Sequence, residues 1–143
     1  MTTKQILLNV KRCRRMWEWL SAHPAADKVD YFVAHKIPED KQPLHACYAC
    51  EVSGHGYCEV SGHGYESDTK PETVPTCAVN DCFLNSLWPY GCLEMGSPFV
   101  AWRDNAVGGM HTRAYSAMLI ADACTPVIKK LEGKLKRMKR RTR

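Results

Sequence analysis

Residues 2–22 read TTKQILLNVKRCRRMWEWLSA. Ile6, Val10, Cys13, Trp17 and Leu20 recur at spacings of four, three, four and three, which puts them on one stripe of a 3.6-residue helix. Thr2 and Gln5 stand at the positions of a capping box, in which a hydroxyl and an amide side chain satisfy the first orphan backbone donors. The pattern predicts an amphipathic helix over 3–22, ended by His23-Pro24. Met16, Trp17 and Trp19 are then core or near-core residues. Cys13, on the apolar stripe, reads as a small buried hydrophobe rather than a ligand.

The second half of the chain repeats the helical signal. Ser97-Pro98 supplies an N-cap and a first-turn proline for a helix through Phe99, Val100 and Trp102 to Asn105, stopped by Gly108-Gly109. His111 to Ala123 is helical, and Ala114, Ala117, Met118, Ala121 and Cys124 form a flat face of small residues suited to close packing on another helix. Thr125-Pro126 renews the cap signal. It predicts a kink and a further helix with Val127, Ile128, Leu131, Leu135 and Met138 inward. Lys139 to Arg143 are expected to fray. Asp27 to Pro43 reads as a short strand or single helical turn followed by extended chain. The fold class expected is mainly α, a small helical domain with a central loop-rich zinc-binding region.

The zinc expectation comes from the cysteines. The 143-residue chain holds eight of them, and the central ones are arranged as Cys47-x-x-Cys50, Cys77-x4-Cys82 and Cys92. Two residues between cysteines let both thiolates reach one tetrahedral Zn²⁺ from a single turn, and a second pair closes the site. Cys47, Cys50, Cys77 and Cys82 are the expected ligands. Cys92 stands in reserve, because the Cys77/Cys82 gap exceeds the usual spacing. The competing readings are buried small hydrophobes, redox-active thiols or disulfides. Phe83, Leu84, Leu87 and Trp88 would form a hydrophobic shell around the metal, with His45 a nearby competitor.

Between the pairs, the octapeptide CEVSGHGY at 50–57 recurs unchanged at 58–65. Two short copies cannot build a solenoid, so this is a local loop expansion; Cys58 with His55 or His63 offers an alternative metal site. The 26 residues from Glu51 to Thr76 are poor in aliphatics, and a metal cross-link there would replace missing burial. The domain reading is a zinc-stabilised unit over 1–128 and a basic helix or tail over 129–143.

Charge points to the partner. Lysine and arginine number 20 against 15 acids, a formal charge of +5, and the excess is concentrated. Residues 129–143 carry nine basic residues against Glu132 alone, and Lys11, Arg12, Arg14 and Arg15 cluster on the first helix. Such clusters suit phosphate-rich partners. The nucleic-acid contacts expected are Lys11, Arg12, Arg14, Arg15, Lys136, Arg137, Lys139 and Arg140. No apolar run reaches membrane length, and the N-terminal residues lack the pattern of an export signal, which predicts a cytoplasmic protein.

Enzyme signatures are wanting. A zinc deaminase needs His-x-Glu ahead of Pro-Cys-x-x-Cys, whereas His45-Ala46-Cys47 has no glutamate in that place. Four thiolates would also leave the metal no open position. The residual enzymatic reading is a metal nuclease built on Asp104 and His111.

Several short motifs resemble a loose group of uncharacterised cysteine-rich proteins of bacteriophages and prophages: Arg14-Arg15-Met16-Trp17-Glu18-Trp19-Leu20, Cys47 to Glu51 as Cys-x-x-Cys-Glu, the series Cys77, Cys82, Trp88, Cys92, then Gly96-Ser97-Pro98-Phe99-x-x-Trp102, and Leu119-Ile120-Ala121. The resemblance implies a zinc-binding accessory protein of a bacterial host cell with no defined activity. Two functional expectations follow: a non-enzymatic nucleic-acid-binding protein, or an inhibitor that binds a host protein through exposed aromatics such as Trp19, Tyr31 or Tyr90.

Overall fold

Helix α1 spans Thr3–Ala22 and begins as its sequence predicts: Thr2 Oγ1 accepts from the Gln5 N–H at 3.2 Å, and the Gln5 side chain accepts from the Thr2 N–H at 2.7 Å. The computed structural model describes residues 1–43, 47–53, 82–88, 92 and 94–143, with the backbone alone at Cys50 and Ser53. The rest of the fold is helix α2 (Lys28–Ala34), a 3₁₀ turn at Glu39–Lys41, α3 (Tyr48–Ser53), α4 (Pro98–Asp104) and α5 (Met110–Arg141). There is no strand among the described residues.

The segment after His23 departs from expectation. Instead of a strand or a single turn, 28–34 form a two-turn helix, entered through Asp27, whose N–H is held by the Asp30 carboxylate at 2.7 Å. Its end explains why the aromatic and β-branched residues do not continue as strand. Lys36 sits at φ +53°, while Ile37 N–H bonds Phe32 O and Lys36 N–H bonds Val33 O. Those are the two crossed bonds of a Schellman stop, here with lysine in the place glycine usually takes.

Helices α1 and α5 lie antiparallel along their length. Two pairings fix the register: Ser21 Oγ donates to Ala114 O at 2.9 Å and Lys11 Nζ meets the Glu132 carboxylate at 2.7 Å, with the Cys13 and Cys124 thiols buried between the helices. Between them Val10, Cys13, Met16, Trp17 and Leu20 face Ala117, Ile120, Ala121, Cys124 and Ile128, all buried. The small side chains of α5 permit the close approach, as its sequence pattern implies. Each large aliphatic side chain buried here contributes about 1.5–3 kcal/mol. Two residues assigned to this interior belong outside: Met118 is 40 % and Met138 49 % exposed. Met118 stands about 100° round the helix from buried Ala117, and Met138 lies beyond Ile128, the last buried residue of α5. Helix α5 also runs unbroken through Pro126 to Arg141, one helix where two were expected, and it crosses position 128 without interruption.

Helix α4 packs on α5 at the other end. Ser97, buried, accepts from Val100 N–H at 3.1 Å and donates to Cys92 O at 2.5 Å, so the expected N-cap also ties α4 to the preceding loop. Trp102 meets Trp17 edge to face, with centroids 5.1 Å apart, and Phe99 meets the same ring at 6.3 Å. Gly108 at φ +78° makes the turn into α5. A Cβ at Gly109 would run into the Asn105 side chain.

At this junction lies a residue that sequence reasoning passed over. Arg113 is 2 % exposed. Its Nε donates to Trp102 O at 3.0 Å, Nη1 to Pro24 O at 2.8 Å and Ala26 O at 3.0 Å, and Nη2 to the Asp27 carboxylate at 2.5 Å. The guanidinium also lies over the Trp102 ring, 4.3 Å from its centroid. One side chain thus fastens α5 to α4 and to the α1–α2 connection, with the planar fork matched to a fixed set of acceptors.

Candidate nucleic-acid interface

The four basic residues of α1 do not form one patch. Lys11 is engaged by Glu132, and Arg14 Nε lies 3.4 Å from Glu18 one turn on. Lys11 lowers the Glu132 pKa, with Lys136 and Arg14 adding to the effect. Arg12 and Arg15 turn the other way, toward α2 and α3. Both are exposed and make no ion pair or hydrogen bond among the described residues. They line a groove of about 480 Å³ with Glu18, Trp19, Tyr31, His35, Ile37 and Tyr48. That volume falls in the range of about 300–1,000 Å³ typical of small-ligand sites.

The aromatic residues of this groove are held by stacking and by hydrogen bonds to backbone carbonyls. His23 stacks on Trp19 with ring centroids 4.1 Å apart, and its Nδ1–H donates to Trp19 O at 2.8 Å. The exposed His35 ring repeats the arrangement: Nδ1–H donates to Tyr31 O at 2.8 Å, and the ring lies 4.1 Å from that of Tyr31. Each bond fixes Nδ1 as the donor when the imidazole is neutral, leaving Nε2 as an acceptor. Burial pushes the Tyr31 phenol above its ordinary pKa, against a downward pull from Arg15 and Arg12. Tyr48 is raised by burial and by Tyr31, with Arg12 opposing. The two phenols therefore remain neutral donors beside the two guanidiniums. Tyr31 is 5 % exposed, so it is a wall of the groove and not the exposed anchor the sequence suggested. Trp19 is half-buried.

The second basic region is the end of α5, where Lys136, Arg137, Lys139 and Arg140 are exposed on regular helix. Helical structure continues through Lys139 and Arg140, the start of the stretch expected to fray.

Of the expected metal ligands, Cys47 stands immediately before α3, its carbonyl accepting from Glu51 N–H at 3.1 Å, and Cys50 follows one turn later on the helix backbone. Cys47, Cys82 and Cys92 are half-buried and pack against the core. Among the described residues no three His, Cys, Asp or Glu side chains gather where they could hold a metal ion. Cys77, the side chain of Cys50, and the alternatives His45, His55, Cys58 and His63 lie outside the described residues, as do Tyr90 and most of the duplicated octapeptide. Of the shell assigned to the metal, Leu84 and Trp88 are buried in the common core, and Phe83 and Leu87 pack against it together with Cys47, Cys82 and Cys92.

Cys13 and Cys124 are buried core thiols. The hydrogen bond to Cys124, followed by burial, drives the Cys13 pKa well upward, so it is a protonated thiol at neutral pH. Of the nuclease candidates, Asp104 pairs with Arg103 at 2.9 Å, and His111 is exposed in the first turn of α5. No helix among the described residues is long and apolar enough to cross a membrane. No family model, curated protein or solved structure matches the chain.

Proposed function

We propose that the protein binds nucleic acid through two basic surfaces, the Arg12/Arg15 face of α1 and the exposed end of α5, and acts by contact rather than by catalysis. The observation that carries this reading is the sorting of charge on α1: Lys11 and Arg14 each lie against an acid of the fold, whereas Arg12 and Arg15 have no acid partner among the described residues. Guanidiniums with unspent donors bind phosphate oxygens bidentately, and basic residues along a helix end add contacts that carry no sequence information.

A structural Zn²⁺ held by Cys47, Cys50, Cys77 and Cys82, with Cys92 as the alternative fourth ligand, is part of the same proposal. The Cys47-x-x-Cys50 spacing at a helix start suits it, since two intervening residues are the usual interval of a zinc-binding pair. The metal would tie the central loops and take no part in binding.

A salt titration tests the function. Affinity for DNA should fall steeply between about 50 and 200 mM salt, with a log–log slope of several units. Absence of binding at the low end overturns the reading. Elemental analysis of purified protein tests the metal. About one equivalent of zinc, lost in Cys47→Ser, is expected, and less than about half an equivalent removes zinc from the proposal.

A further inference from the structure

We infer that the groove beside Arg12 and Arg15 is a single-strand site, taking one unpaired nucleotide with its phosphate on the two arginines and its base against the Trp19 and His35 rings. The inference rests on the nucleic-acid reading and makes it narrower, from any phosphate backbone to an unpaired strand.

Three observations support it. The first is the shape of the charge: Arg12 and Arg15 are three residues apart on α1, about 4.5 Å along the axis, so both can reach one backbone phosphate. The acid on this rim, Glu18, is already held by Arg14. The second is the aromatic content. Trp19, Tyr31, His35 and Tyr48 all line the same groove, and Trp19 lies four residues beyond Arg15, about 6 Å along the helix. A phosphate-only site has no need of such rings, while unstacked bases bind aromatic faces regardless of sequence. Duplex bases offer no free face to a concave site. The third is preorganisation. His35 is exposed yet tied to Tyr31 O, and Trp19 is backed by His23 on one side, so little side-chain freedom remains to be lost on binding.

The experiment compares three probes at low salt by fluorescence anisotropy: an oligothymidylate of about fifteen nucleotides, an abasic strand with the same phosphates, and a duplex of equal length. Oligothymidylate should bind about tenfold tighter than the abasic strand and tighter than the duplex. His35→Ala combined with Trp19→Leu should erase most of that preference while leaving abasic binding within about twofold; circular dichroism confirms the fold. Equal affinity for thymidylate and abasic strands overturns the inference and leaves the proposed function standing, as does a preference that survives the double variant. Binding of none of the three overturns both. A polyglutamate peptide that binds as tightly as oligothymidylate assigns the groove to acidic protein surfaces and also overturns the inference.

Discussion

Arg113 and the pair Arg12/Arg15 carry the same side chain in opposite circumstances. Arg113 is buried and uses its donors on three carbonyls and a carboxylate contributed by two separate parts of the chain. Arg12 and Arg15 are exposed, line a groove and keep their donors unspent. An arginine whose acceptors are all internal belongs to the fold, and one held beside aromatic walls without acceptors is available to a partner. The position of carbonyls and carboxylates, not the residue type, makes the distinction.

The comparison can be broken most forcefully at Arg113. Replacing it by methionine leaves the Trp102, Pro24 and Ala26 carbonyls without their donor, each at about 1–3 kcal/mol when buried. We expect a loss of about 3 kcal/mol or more in urea unfolding, and Arg113→Lys should recover only part of it, because one ammonium cannot span the acceptors. The Asp27 contact adds little, since that carboxylate is 67 % exposed. An effect below about 1 kcal/mol would show that Arg113 is not the fastener described.

The next test sharpens the other side. Arg12→Gln with Arg15→Gln should weaken DNA binding about tenfold and lower the salt slope by about two, with stability within about 0.5 kcal/mol of the parent. Lys11→Gln with Arg14→Gln, which removes the same charge from the same helix, should weaken binding less than about threefold. Equal losses from the two pairs would mean that charge count alone matters.

A third response concerns pH. Cys13, raised by its bond to Cys124 and by burial, and Tyr31 and Tyr48, raised by burial, all hold their protons more tightly folded than unfolded. The folded state therefore binds more protons in the alkaline range, and stability falls as pH rises past the unfolded thiol and phenol values. Thermal unfolding between about pH 8 and 10.5 should show that decline, and Cys13→Val should make it shallower.

The smallest effect is at Lys36. A left-handed backbone costs a residue with a Cβ about 1–2 kcal/mol, part of which glycine returns as lost entropy. Lys36→Gly should stabilise by about 0.5–1 kcal/mol without altering DNA affinity, and a loss of stability would contradict the Schellman geometry.

Much of the helical frame was legible in the sequence because its signals are local. The Thr2/Gln5 box, the apolar stripe of α1 and the Ser97-Pro98 start each depend on residues within a turn of one another. Helix α2 was not, since seven residues rich in valine and aromatics carry too short a period to separate strand from helix. Arg113 was illegible for a different reason: Pro24 and Ala26 lie 89 and 87 residues away, and they offer carbonyls, which every residue has. The basic cluster on α1 was visible. Its division into neutralised and available halves was not, because Glu132 is distant in sequence and the groove exists only once α2 and α3 are packed.

Pro126 gives α5 an uneven durability. With no N–H at that position, the Asp122 carbonyl lacks its usual helical donor, and exposed Asp122 leaves that carbonyl to water. Upstream, the turns carrying Arg113, Ala117 and Ile120 are clamped by buried contacts; downstream, beyond Ile128, the helix is increasingly exposed. Amide exchange should therefore quicken beyond Ile128, with slow protons before it and fast ones toward Arg141. The basic end would then behave as a segment that opens on its own while the clamped half holds.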